Sequence, residues 1–172
     1  MGTRFVTLQL TRPEGFKPVS WLIRIIQKTS YSHVRFQWLG TGGAIPIIYE
    51  ASGSYLHFIG PIAAKQKPVK IIRSYPLELA GEQYKKWVQF CVTNAGVQYG
   101  LVQMLGMAWA DAMGLKQNPL ADGRKTQVCS EVAYYFFKDV MEWSVGELDP
   151  DRTGPKQINK YLEDHVGSLS ET

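Results

Sequence analysis

The 172-residue chain predicts an α+β domain in which an antiparallel sheet packs against helices. Three observations carry this. Between Phe5 and Arg73, short segments alternate apolar and polar residues with the period of a strand. After Pro76 the apolar residues recur at helical spacing instead. Gly40-Thr41-Gly42-Gly43 joins two of the alternating segments closely enough for a hairpin, which makes that pair antiparallel.

In chain order, Phe5 to Leu10 predicts the first strand, closed by a turn over Thr11 to Gly15. Ser20 then caps a short helix with Trp21, Leu22, Ile25 and Ile26 as its apolar stripe, and Lys28 at its end suits the dipole. Tyr31 to Trp38 is the second strand, with Ser32, Val34, Phe36 and Trp38 on one face and Tyr31, His33, Arg35 and Gln37 on the other. Ile45 to Ser52 is the third. A hairpin symmetric about the glycine turn pairs Trp38 with Ile45 and His33 with Glu50. Pro46 cannot donate to the ladder and marks an edge or a bulge.

Tyr55 to Ile59 and Val69 to Arg73 predict further strands, linked by a loop from Pro61 to Pro68, and Pro76 ends the sheet. Glu78 to Ala95 is an amphipathic helix burying Tyr84, Trp87, Val88, Cys91 and Val92, with Gly96 as its stop. Leu101 to Met113 is apolar nearly all round, which fits either a central helix or the wall of an acyl-chain groove. Asn118-Pro119 and Asp122-Gly123 form a loop leading to Cys129. Val132, Tyr135, Phe136, Val140 and Met141 mark the buried face of the next helix. An acidic loop from Gly146 to Gly154 precedes a last helix from Pro155 to about Asp164, docked by Ile158, Tyr161 and Leu162. Gly167 to Thr172 is expected to fray.

The polar run Lys125-Thr126-Gln127-Val128 ends at Cys129, which falls in the first turn of that helix. Unpaired amides and the positive dipole end favour a thiolate there, and Arg124 and Lys125 push the same way. The alternative is a buried structural cysteine. Cys91, mid-helix and far from any helix start, is a core thiol. His33 opposite Glu50 supplies a base and the carboxylate that orients it, the remaining parts of a nucleophilic triad. His57 is a rival base without an acidic partner at a comparable hairpin position, and His165 lies beside the C-terminal tail.

Ser32-His33-Val34 on a strand, Tyr49-Glu50-Ala51 at the end of the next, and Cys129-Ser130-Glu131-Val132 opening a helix resemble the circularly permuted branch of the NlpC-type, papain-like cysteine hydrolases. This is the YiiX-like group, related to the lecithin retinol acyltransferase family. The His precedes the Cys, the reverse of the papain order. Trp21 to Arg24, Gly96 to Gly100 and Asp149 to Pro155 are similar to further landmarks, so the resemblance covers residues 4 to 164. It implies a permuted papain-like fold over 1–172 as one domain, with Cys129 as nucleophile, His33 as base and Glu50 as orienting acid. It also implies an amide substrate in a peptide or cell-wall peptide, with a lipid ester or thioester as runner-up, and neither cofactor nor metal. The family often has a small residue where Arg35 stands, so Arg35 narrows the site or reads an anionic substrate.

Composition narrows the classes. With 45% hydrophobic and 20% charged residues the chain reads as globular, and two cysteines make no disulfide framework. The net charge of +4 is not gathered in any basic block, which argues against nucleic acid. No Cys-x-x-Cys or His-x-x-x-His pair completes a metal site with His33 and Cys129. No signal peptide or membrane span is expected, which fits a soluble cytoplasmic or phage- or virus-encoded protein. A non-catalytic binding module on the same fold is the reading from another class.

Overall fold

The computed structural model describes residues 3–40, 45–66, 68–122 and 125–166. These form one five-stranded antiparallel sheet of order β4-β3-β2-β1-β5 with helices packed on it. In chain order the elements are β1 (Arg4–Pro13), α1 (Pro18–Gln27), β2 (His33–Leu39), β3 (Pro46–Ser52), β4 (Tyr55–Ile59), α2 (Pro61–Gln66), β5 (Val69–Leu79), α3 (Gly81–Asn94), α4 (Leu101–Met113), α5 (Cys129–Tyr135) and α6 (Pro155–Val166). A π-helical turn over Phe136–Val140 prolongs α5.

Alternation in β1 and β2 builds the core. Val6, Leu8 and Leu10 pair with Trp38, Phe36 and Val34, and all six side chains are buried. Trp87 of α3 sits over this face, its ring 4.7 Å from Phe36 and 4.9 Å from Phe136. Such tilted and edge-on aromatic pairs add specificity to the area they bury. The wholly buried helix is α5. By contrast, α4 buries one face and exposes Val102, Leu105, Trp109 and Met113, so it is a surface element and not the central helix.

Several expectations are corrected. The β2–β3 ladder pairs Trp38 with Ile47 and Arg35 with Glu50, two residues away from the symmetric hairpin. The turn is centred one residue further along the chain, closed where the Gly40 amide donates to the Ile45 carbonyl at 3.0 Å. Thr41 to Ala44, most of the expected glycine turn, lie outside the described residues. An even shift leaves every side chain on its expected face. Pro46 opens β3, where a missing N–H costs little.

β5 continues through Pro76, opposite Thr7, to Leu79. It is an edge strand, so the proline's missing donor breaks no second ladder. Consequently α3 starts at Gly81 instead of Glu78, and Val92 on it is 60% exposed. The expected loop after β4 contains α2, with Pro61 at its first position. β1 runs on to Pro13, so the expected turn is confined to Glu14 and Gly15, where Gly15 has a positive φ of 80°. α1 begins at Pro18, and Ser20 lies inside it, bonded to Ser32 at 2.6 Å and not capping. Its stripe of Trp21, Leu22 and Ile25 faces outward. α6 matches the expected final helix, with Ile158, Tyr161 and Leu162 buried. Gly123, Arg124 and 167–172 lie outside the described residues, so the expected push of Arg124 on Cys129, the Asp122-Gly123 turn and the expected fraying have no structural account.

Candidate functional site

The site is built where the start of α5 meets β2 and β3. Cys129 is the first residue of α5 and is 5% exposed. Its helix start is held by Glu131, whose Oε2 accepts from the Val128 amide at 2.8 Å. That bond satisfies one of the donors stranded at a helix N-terminus. Glu131 is itself buried, and its Oε1 accepts from the Gln103 amide at 2.9 Å.

Across from this helix, His33 Nε2 lies 3.3 Å from Glu50 Oε2. Glu50 stands directly opposite Arg35 and reaches His33 from the next rung, a diagonal contact within the span of long side chains. The Ser52 hydroxyl donates to the other carboxylate oxygen, Oε1. Arg35 is buried, and its Nε donates to Gln9 Oε1 at 2.8 Å. One polar rung thus crosses four strands: Gln9, Arg35, Glu50 and His57 are successive ladder partners.

Electrostatics follow from that arrangement. Burial pulls the His33 imidazole toward its neutral form, but the negative Cys129 sulfur and its hydrogen bond, followed by Glu50, outweigh this and raise His33 from 6.5 to about 10. Burial likewise opposes ionisation of Glu50. The His33 hydrogen bond and charge, the Ser52 hydroxyl and the Arg35 charge overcome it and lower Glu50 to about 2. An ionised carboxylate beside an imidazole able to hold a proton near a sulfur has the parts that a proton-transfer relay needs.

Sequence reasoning therefore selected three residues that lie together, with the Glu50 register corrected. It missed two. Tyr99 lines the same cavity as Cys129, and its hydroxyl meets the Met104 sulfur at 3.4 Å. Burial pushes its phenol up, and the negative charges of Cys129, Glu131 and Glu50 push it further. In the sequence, the segment from Gly96 to Gly100 is a landmark without an assigned chemistry. Glu131 carries a sequence signal, an acid three residues past the helix cap.

The rival groups are placed elsewhere. His57 does have an acid across the ladder, Glu50, contrary to expectation, but its Nδ1 bonds the Tyr55 carbonyl at 2.8 Å. Cys91 is fully buried in α3, and burial pushes its thiol up. His165 stacks on Tyr161, ring centres 4.0 Å apart.

Beside Cys129 lies a cavity of about 30 Å³ between α1 and α4, lined chiefly by Ile23, Ile26, Met104, Met107 and Val128. That is room for about two waters. Among the described residues, no group of three or more His, Cys, Asp or Glu is placed to hold a metal ion, and no helix is long and apolar enough to cross a membrane.

No protein-family model matches the chain, and no curated protein matches it. Among solved structures it is similar to the crystal structure of the metalloprotein yiiX from Escherichia coli O157:H7, at 19% identity and a TM-score of 0.46, over 96% of this chain and 82% of that one.

Proposed function

We propose that this chain is a thiol-dependent hydrolase of the circularly permuted, NlpC-type papain-like kind, formed by residues 1–172 as one domain. Cys129 is the nucleophile, His33 the base and Glu50 the group that orients it. One observation carries the reading: His33 lies under the influence of the Cys129 sulfur on one side and is bonded to Glu50 on the other. The Cys129 sulfur attacks the carbonyl carbon of an amide, forming a carbon–sulfur bond. The His33 imidazolium gives its proton to the leaving nitrogen as the carbon–nitrogen bond breaks. Water then yields a proton to His33 and adds to the thioester, releasing the acid and restoring the thiol. The backbone amide of Cys129 is one donor for the oxyanion, and the Tyr99 hydroxyl, in the same cavity, becomes the second by turning from the Met104 sulfur to the substrate oxygen. The substrate class that the resemblance favours is a peptide or cell-wall peptide.

A second reading, transfer or hydrolysis of lipid-like acyl groups, is favoured by the apolar lining of the cavity beside Cys129. At about 30 Å³ it holds no extended chain, so that chemistry requires α1 and α4 to part.

The test is alkylation by iodoacetamide at neutral pH with mass spectrometric site assignment. Labelling is expected at Cys129 and not at Cys91, and His33→Ala is expected to slow it at least tenfold. Equal labelling of both cysteines, or indifference to His33, ends the reading. Peptide amides and p-nitrophenyl acyl esters of increasing chain length then separate the two substrate classes.

A further inference from the structure

α1 packs against α4, and both helices turn apolar side chains outward. On α1 these include Trp21, Leu22 and Ile25, and on α4 they include Leu105, Trp109 and Met113. Trp21 is 47% exposed and Trp109 63%. Exposed apolar residues elsewhere, such as Phe5, Ile62 and Val92, fall on separate elements. Isolated ones need no explanation, whereas two adjoining helices with apolar outer faces do.

Charge identifies the occupant. α1 carries no acidic residue, and exposed Lys17 and Lys28 stand at its two ends. On α4 the lone acid, Asp111, is drawn to Arg152 at 3.8 Å, and exposed Lys116 follows the helix. An apolar face with tryptophans, rimmed by lysines, complements the acyl layer and anionic headgroups of a bilayer. We infer that the outer face of α1 and α4 docks on an anionic lipid surface, lying in the interface without crossing it. The 10 residues of α1 and 13 of α4 are too short to span.

The full chain should co-sediment with phosphatidylcholine vesicles containing phosphatidylserine far more than with phosphatidylcholine alone, with a blue shift in tryptophan emission. Trp21→Ser and Trp109→Ser, each checked for native circular dichroism, are expected to weaken binding about tenfold. Lys17→Glu and Lys28→Glu should each weaken it about fivefold and remove the preference for anionic lipid. Absence of binding, or binding indifferent to both tryptophans, overturns the inference. So does sedimentation showing a dimer that Trp109→Ser dissolves, since a second copy would then cover the face. None of these readouts depends on Cys129, so they stand apart from the proposed chemistry.

Discussion

Arg35 faces Glu50 across the β2–β3 ladder, and Glu50 gives its Oε2 to His33 on the neighbouring rung, at 3.3 Å. The carboxylate therefore serves two cationic side chains at once. The His33 hydrogen bond and charge keep Glu50 ionised, helped by the Ser52 hydroxyl and then by the charge of Arg35, whose Nε is held by Gln9. Arg35 is thus buried on the same strand face as His33, two residues along β2. Lowered to about 2, Glu50 contributes stability that is present above its ordinary 4.5 and lost as pH falls toward 2.

Glu50→Gln preserves shape and removes the charge. It should lower the rate of Cys129 alkylation by one to two orders of magnitude, because the imidazolium loses its partner. It should also erase the stability change between pH 4.5 and 2 in urea unfolding. An unchanged alkylation rate would show that the 3.3 Å contact has no chemical role.

His33 offers the opposite sign. A histidine raised from 6.5 to about 10 contributes stability that is fully present below 6.5 and is lost as pH rises through 10. In wild-type protein the His33 ring protons should titrate far above 6.5 by nuclear magnetic resonance. In Cys129→Ala the titration should fall, since the largest upward influence has gone while burial still pulls downward. A midpoint unmoved by that substitution would separate the sulfur from the imidazole.

Gly106→Ala tests how α4 is held. A Cβ at Gly106 would lie 2.0 Å from Asn118 Oδ1. Asn118 donates to the carbonyls of Gln103 and Asp151 at 3.0 Å and accepts from the Leu120 amide. Displacing it strands several buried polar groups, so about 2 kcal/mol or more should be lost in thermal or urea unfolding. Gly114→Ala, at a positive φ of 65° with open space around it, should cost about 1 kcal/mol through backbone strain alone.

Alternation in β2 was legible because Val34, Phe36 and Trp38 enter the core while His33 and Gln37 on the other face are only partly buried, which writes a period of two into the residues. Cys129 was legible because polar Lys125 to Gln127 give way abruptly to the buried face of α5. The register was not, since several adjacent glycines permit a turn at more than one position without dictating which. Nor was the orientation of α1: an amphipathic pattern distinguishes two faces without saying which meets the core. Pro76 misled because a proline stops a central strand but not an edge strand. Tyr99 was invisible because its segment is placed by tertiary bridges to Ser54, Tyr55 and Gln127, which no local pattern announces.

Glu131 is the last residue that separates competing accounts. Burial raises its carboxyl to about 7, assisted by the charges of Asp151 and Asp122 and opposed by the Val128 amide and Gln103. A raised acid destabilises the fold when ionised, so stability should decline as pH rises from 4.5 through 7. Glu131→Gln keeps a carbonyl for the Val128 amide and removes the charge. It should abolish that decline and leave Cys129 alkylation within about twofold. Glu131→Ala strands the amide next to Cys129 and should cost about 1–2 kcal/mol, slowing alkylation as the helix start loosens. If the pH slope survives in Glu131→Gln and Glu131→Ala is harmless, the acid neither titrates there nor holds the helix that Cys129 opens.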